Sequence, residues 1–358
     1  MLRTDWSRIH ETGGFHLYTF PLALMSCLYG TGVRLRNTFL KNRWKSLPGF
    51  VLSVGNITAG GTGKTPAVIM LARWAESSGY NAAVLSRGYG GKNNMDAAVV
   101  SDGKTTLLSP EISGDEPWLM ASSLDNVPVI VSRKRYLAGM EAKNRFGCNF
   151  FILDDGFQHI HLKRDMDIVL VDEKSPFGNG HLLPWGPLRE PLSGLKRADA
   201  LVFTRAGGTS SNDFRSPVKD TPVFSSDHVP AGIIFPLINE NHDLSFINGK
   251  RVIAFSGIGR PESFKKTILD LGANLISFKA FGDHYPFSER DVTELEEERR
   301  NLRADMLITT EKDWARIRHM ASGIAPIACL RIDFVIKTGQ KEFFNIIKNK
   351  ADSVLRII

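Results

Sequence analysis

Cysteine is sparse in this chain and scattered where it occurs, at Cys27, Cys148 and Cys329. Three thiols, odd in number, widely spaced and in no metal-ligand pattern, exclude a disulfide framework and a zinc site. They read as reduced, buried thiols of a cytosolic protein. Long apolar runs are missing as well. The most apolar early stretch, residues 15–29, is interrupted by His16 and Pro21 and is too short to span a bilayer as a straight helix. It does not read as a secretory leader either. Glu11, Thr12, Gly13 and Gly14 stand where positive charge belongs, and Arg34, Arg36, Lys41, Arg43 and Lys45 come after it. No internal repeat, low-complexity tract, aromatic–basic stripe or nucleic-acid module appears, so nucleic acid is not expected as a partner.

What is present is an ordinary globular composition. The 358 residues are 42% hydrophobic and 23% charged, enough for two domains with a core each. The net charge of +7 and an isoelectric point near 9.3 favour an acidic partner, such as an anionic membrane surface or a phosphorylated substrate. An apolar aromatic segment beside a basic cluster suits a helix lying in the membrane interface. A helix packed on the first domain's sheet accounts for the same segment equally well.

From residue 50 to about 225, short apolar strands alternate with helical stretches. The strands are expected at 50–54, 82–86, 127–131, 150–154, 168–171 and 201–204. Such alternation predicts a mostly parallel sheet with helices on both faces. Gly207, Gly208 and the polar residues through Asn212 mark a loop. A second α/β pattern follows, with strands at 251–255, 274–278, 306–309 and 324–332 and helices at 262–271, 288–303 and 341–358. The expected division is a membrane-associating segment at 1–48, a P-loop domain at 49–228, a connector at 229–245 and a second α/β domain at 246–358.

Thr58-Ala59-Gly60-Gly61-Thr62-Gly63-Lys64-Thr65 lies between the first strand and a helix-forming stretch. Strand, glycine-rich loop and helix in that order make a phosphate cradle. Successive backbone N–H groups turn inward, and the helix N-terminus adds partial positive charge. Lys64 can reach the β- and γ-phosphates of a nucleoside triphosphate, and Thr65 can place its hydroxyl on Mg²⁺. Thr58 stands where the usual pattern has glycine, a mild departure given the three glycines that follow.

Asp154 and Asp155 end an apolar strand, the place where such proteins hold Mg²⁺ directly or through water. The second carboxylate either tunes the first or stands behind it. Asp115, in Gly114-Asp115-Glu116-Pro117, reads on its own as a helix cap. Ser86-Arg87-Gly88-Tyr89-Gly90-Gly91 offers a cationic, flexible loop. The glycine- and proline-rich stretch 177–191 is too apolar for a plain linker and suits a substrate-binding or lid loop. His284 sits among aromatics in Phe281-Gly282-Asp283-His284-Tyr285-Pro286-Phe287, where a lone histidine is more often structural. Thr309 to Asp313 ends a strand and could close over the nucleotide.

Taken together, VGNITAGGTGKTP, LSRGYGG, GDEP, LDDGFQH, FGNGHLLPWGPLREP, AFSGIGRPESF, FGDHYPF and TTEKDWA resemble the tetraacyldisaccharide 4′-kinase family, the lipid A 4′-kinases of Gram-negative bacteria. The segments fall in order from about residue 50 to 315, most of the chain. The resemblance implies transfer of the ATP γ-phosphate to the 4′-hydroxyl of a tetraacylated glucosamine disaccharide 1-phosphate. It also implies Mg²⁺ and a place at the cytoplasmic face of the inner membrane, with no protein partner. The implied fold is a P-loop α/β/α domain and a smaller α/β domain joined by a short β connector, with the site in the cleft. Carried over by motif, Lys64 and Thr65 resemble the phosphate and Mg²⁺ residues. Asp154, Asp155 and Glu190 resemble the acidic residues around the metal, and Asp115 and His284 the pair that activates the sugar hydroxyl. Trp185 and Arg260 depart from the family pattern. The rival reading is a membrane-associated P-loop switch that hydrolyses nucleotide. Guanine specificity is not expected, because Thr310-Glu311-Lys312-Asp313 has the wrong order for a guanine-reading motif.

Overall fold

Strand β1 (Phe50–Asn56) is buried along its whole length, as a central parallel strand flanked by helices on both faces must be. In the computed structural model the described residues are 20–40, 44–205, 218, 220–321 and 327–357. Residues 15–19, Lys41, Arg43, the loop at 207–212, the start of the predicted strand at 324–332 and Ile358 lie outside them. Strands β2 (Ala82–Ser86), β3 (Ala98–Ser101), β4 (Val129–Val131), β5 (Phe150–Asp154), β6 (Met166–Asp172) and β7 (Ala200–Thr204) complete the first half. Their order is β7-β6-β1-β5-β2-β4-β3, parallel except where β3 meets β4.

Side chains alternate across β1, and the alternation builds the layers. Phe50, Leu52 and Val54 pack with Val68, Leu71 and Ala75 of helix α2 (Lys64–Ser77). Val51 faces the opposite layer, where helix α5 (Arg135–Phe146) contributes Ala138 and Ala142. Between them in sequence come the short α3 (Pro110–Ser113) and α4 (Asp115–Ser123).

Strand β8 (Val223–Phe235) carries the sheet into the second half. Its first residues pair in parallel with β7, and its remainder pairs antiparallel with β13 (Ile327–Ile336). Beyond β13 lie β12 (Met306–Thr310), β10 (Arg251–Ser256) and β11 (Asn274–Ala280), and β9 (Glu240–His242) pairs with β8. Helices α6 (Pro261–Asp270), α7 (Glu289–Asn301) and α8 (Glu311–Ile317) flank this half. A capping box starts α7, with Ser288 and Asp291 each satisfying the other's backbone N–H. Helix α9 (Gln340–Leu355) returns to the first half, where Phe343, Ile347 and Ala351 join the core of β1 and α2.

Helix α1 (Phe20–Leu40) buries Ser26, Gly30 and Val33 at helical spacing. That stripe docks on the 182–190 loop: Ser26 Oγ donates to the Leu182 carbonyl at 2.8 Å, and Tyr29 Oη to the Arg189 carbonyl at 2.8 Å. Gly30 meets Leu182 so closely that a β-carbon there would be 2.6 Å from Leu182 Cδ1. The buried stripe thus faces this loop, and the face bearing Leu24, Leu28, Leu35 and Phe39 is exposed.

Candidate active site

The phosphate loop joins β1 to α2, and Gly63 caps the helix in the left-handed region at φ 83°. A β-carbon at Gly63 would collide with the His228 imidazole, so glycine is needed there twice over. The neighbouring 182–190 loop braces the cradle from outside. Ala59 N–H donates to the Pro187 carbonyl at 2.7 Å and Arg189 N–H to the Ile57 carbonyl at 2.8 Å. Lys64 Nζ is aimed across the loop, 3.2 Å from Asn56 Oδ1 and 3.5 Å from Asp155 Oδ1.

Asp154 and Asp155, adjacent in sequence, have opposite environments. Asp154 is 4% exposed. Its Oδ2 accepts from Ser86 Oγ at 2.8 Å, and its Oδ1 is buried without a partner. Burial, with Glu116 and Asp155 close by, pushes its carboxyl up to about 6. Asp155 sits at φ 49° and accepts Arg189 Nη1 on both oxygens at 2.9 Å. Burial works to raise its carboxyl, but Lys64 and Arg189 outweigh it and hold the group below the usual carboxylate range. Glu190 is 1% exposed and engaged at both oxygens, by Arg197 Nη2 at 2.8 Å and Gln158 Nε2 at 2.9 Å.

Among the described residues no three His, Cys, Asp or Glu side chains gather into a cation cage. Mg²⁺ does not require one, since it is usually held by one or two carboxylates together with substrate phosphates. The orphaned oxygen of Asp154 and the hydroxyl of Thr65, at the start of α2, are hard donors that fit such an ion. Asp155 and Glu190 already spend their oxygens on cationic or amide donors.

The second half contributes His284 and α8. His284 follows β11 at φ 56°, its N–H donating to the Gly257 carbonyl at 3.1 Å. Thr310 caps α8 and places Asp313 and Arg316 one turn apart. Asp313 is fully buried, and burial pushes its carboxyl up. It accepts from Thr310 Oγ1 at 2.8 Å, Gly257 N at 3.0 Å and Arg316 Nη1 at 3.0 Å.

Arg316 then spans the two halves. Its Nε donates to Asp115 Oδ2 at 2.6 Å, and its Nη2 lies 3.1 Å from His284 Nδ1. A guanidinium only donates, so Nδ1 takes part in that contact as the acceptor. Lys312 Nζ stands 3.2 Å from Glu116 Oε1 and 3.2 Å from His284 Nε2. Asp115 and His284, 169 positions apart by their numbers (284 − 115), are therefore brought onto one guanidinium. Gly114 lets the Asp115 turn interlock with the Arg87–Gly91 loop, because a β-carbon there would strike the Tyr89 carbonyl.

Sequence reasoning singled out neither Arg316 nor Arg135, whose Nη2 donates to the Asp154 carbonyl at 3.3 Å, nor Arg189 as the partner of Asp155. The only local signal for Arg316 was its spacing from Asp313; its other partners lie 201, 59 and 32 residues away.

A family model described as tetraacyldisaccharide-1-P 4′-kinase matches residues 18–352. Curated proteins named tetraacyldisaccharide 4′-kinase are similar over nearly the whole chain. That of Syntrophus aciditrophicus (strain SB) is 43% identical over 366 residues, covering 97% of this chain and 98% of its own length. That of Geobacter metallireducens is 40% identical over 319 residues, covering 88% and 94%. Among solved structures, the "apo" form of LpxK from Aquifex aeolicus in complex with ATP superposes with a TM-score of 0.77. It is 32% identical, covering 93% of this chain and 98% of that one.

Proposed function

The chain belongs to the tetraacyldisaccharide-1-P 4′-kinase family, and we propose that it moves the γ-phosphate of ATP onto the 4′-hydroxyl of an acylated glucosamine disaccharide 1-phosphate through the residues joined across its two halves. It is an ATP-dependent kinase of lipid A biosynthesis. The observation that carries the reading of its site is the single guanidinium of Arg316 on both Asp115 and His284, beside a phosphate loop whose lysine is already aimed at Asp155.

The loop from Thr58 to Thr65 wraps the phosphates with its backbone N–H groups, and Lys64 leaves Asn56 and Asp155 to follow the β- and γ-phosphates. Asp154 and Thr65 are the residues that would hold Mg²⁺, which supplies charge neutralisation at those phosphates when bound. Asp155 keeps Lys64 and Arg189 oriented, and Glu190 fixes Arg197 and Gln158 behind the loop. Asp115 has Oδ2 tied to Arg316, which leaves Oδ1 to accept the proton of the 4′-hydroxyl as that oxygen attacks the γ-phosphorus and ADP departs. His284 supports Asp115 through Arg316 and offers a second stop for the proton. General-base help contributes roughly 10²–10⁴-fold; positioning and charge neutralisation contribute the rest.

Helix α1 supports a lipid-surface location, proposed here as the cytoplasmic face of the inner membrane. Phe20, Leu24, Met25, Leu28, Leu35 and Phe39 are exposed along it, with Arg34 and Arg36 on the same helix, a pattern suited to the headgroup region of a bilayer. Among the described residues no helix is long and apolar enough to cross a membrane. Between α1 and the 190–197 segment runs a groove of about 260 Å³ lined by Arg34, Asn37, Ser193 and an Arg197 paired with Glu190, where Arg34 is placed to meet an anionic glycolipid headgroup. The division at residues 229–245 fits a β8 that belongs to both halves, with nucleotide held mainly by the first and His284 supplied by the second.

Acceptor dependence tests the reading. ATP turnover that requires the acylated disaccharide 1-phosphate supports the kinase; hydrolysis indifferent to it favours a nucleotide switch.

A further inference from the structure

Asp172 ends β6 next to the phosphate loop, is 6% exposed, and carries two guanidiniums on one oxygen. Arg205 Nη1 and Arg260 Nη2 each lie 2.6 Å from Asp172 Oδ2, while Oδ1 accepts from Lys174 N at 3.1 Å. The two arginines come from different places. Arg205 follows β7 in the first half, and Arg260 precedes α6 in the second. Arg205 also reaches the cradle itself, its Nη2 donating to the Gly61 carbonyl at 3.0 Å. A continuous chain of charge-assisted hydrogen bonds thus runs from the second half, through Asp172, to the phosphate loop.

We propose that Arg260, Asp172 and Arg205 form a positioning relay that presets the phosphate loop for ATP and ties its shape to the placement of the second half. The relay rests on the reading of residues 58–65 as the ATP cradle. Ala59, Gly60 and Gly61 are exposed, and the space around Gly60 and Gly61 is open. Two adjacent glycines in open space lose much conformational freedom when they close around a ligand. A trans peptide points its C=O and the following N–H to opposite sides. Holding the Gly61 carbonyl outward on Arg205 therefore turns the Thr62 N–H the other way, the sense a phosphate cradle requires. Arg205 itself sits at φ 63°, an uncommon conformation for a residue with a side chain, of the kind that persists where surrounding contacts over-determine it. Asp172 aims Arg205, and Arg260 aims Asp172.

Arg260 makes the test decisive. It is hydrogen-bonded to Asp172, so an effect of Arg260 on ATP passes through Asp172 and Arg205. Its side chain is 40% exposed, and replacing it leaves the core intact. ATP binding to the full chain is measured by titration calorimetry for wild type, Arg205→Ala, Arg260→Ala, Arg260→Gln and the Arg205→Ala/Arg260→Ala pair, with KM for the lipid acceptor measured alongside. Losing a charge-assisted hydrogen bond to the loop should weaken ATP binding roughly tenfold in Arg205→Ala. Arg260→Ala and Arg260→Gln should each weaken it about threefold by loosening Asp172. The pair should bind no more weakly than Arg205→Ala alone, and acceptor KM should not move. Unchanged ATP affinity in Arg260→Ala, or additive losses in the pair, would overturn the relay. Wild type that bound no ATP would overturn the cradle reading and the relay together.

Discussion

At the scale of single residues, one guanidinium does what no other side chain can. Arg316 touches Asp115, His284, Asp313 and the Gly257 carbonyl, which uses the planar fork of donors that lysine lacks. Arg316→Lys keeps the charge and loses the fork. With Asp115 and His284 no longer aligned, kcat should fall roughly ten- to a hundredfold, the equivalent of one or two lost charge-assisted hydrogen bonds, while KM for ATP stays within about a factor of two. Guanidinium ion added to Arg316→Ala should recover part of the loss; an unaffected kcat in Arg316→Lys would break the link between the two halves of the site. His228 supplies a pH test. Burial and the nearby Arg205 push its imidazole from 6.5 down to about 4. A depressed histidine contributes stability above its unfolded value, and that contribution is lost as pH falls from about 6.5 towards 4. The melting-temperature advantage of wild type over His228→Gln should therefore shrink between pH 7 and pH 5; an advantage that grows on acidification would contradict the buried, neutral ring. The turn that carries Lys64 and Thr65, between β1 and α2, was legible in the sequence because strand, glycine-rich loop and helix are made by consecutive residues. The engagement of Glu190 by Arg197 and Gln158 was not, since nothing local to Glu190 announces Gln158, 32 residues away.

At the scale of elements, α1 links an exposed apolar face to the phosphate loop. One stripe of the helix bonds to the 182–190 loop, and that loop bonds to residues 57 and 59 of the cradle. Leu24→Glu with Leu28→Glu places charge on the opposite, exposed face without touching the docking stripe. The double variant should bind anionic phospholipid vesicles at least about tenfold more weakly in co-sedimentation, given the apolar area it removes from the lipid, with ATP affinity unchanged. Equal vesicle binding would show that this face does not meet lipid. Strand periods were read well: residues 82–86 and 150–154 are the observed β2 and β5, because buried parallel strands are short continuous apolar runs. Strand β3, four residues long and antiparallel at the sheet edge, has too little pattern to stand out. The two placements considered for the apolar N-terminal segment differ in what its hidden face meets. The described part, from Phe20 on, meets the 182–190 loop through Ser26, Tyr29 and Gly30, with Val33 buried on the same stripe.

At the scale of the whole molecule, thirteen strands of the described residues form one sheet, and β8, 13 residues long, is the strand that both halves share. Helix α9 then crosses back to pack on β1 and α2. Neither feature was legible from local periodicity, because strand order and helix docking are set by contacts distant in sequence. Helix α4 of the first half packs against α8 of the second, and this is why Asp115 shares Arg316 with His284. The direct measurement is phosphate transfer from labelled ATP to a tetraacyl-disaccharide 1-phosphate in detergent micelles, for wild type and for Asp115→Ala. Wild type should label the lipid in proportion to acceptor. Asp115→Ala should lose roughly 10²–10⁴-fold in rate while still binding ATP. Hydrolysis indifferent to the lipid, or normal transfer by Asp115→Ala, would contradict a hydroxyl-activating site built across the two halves.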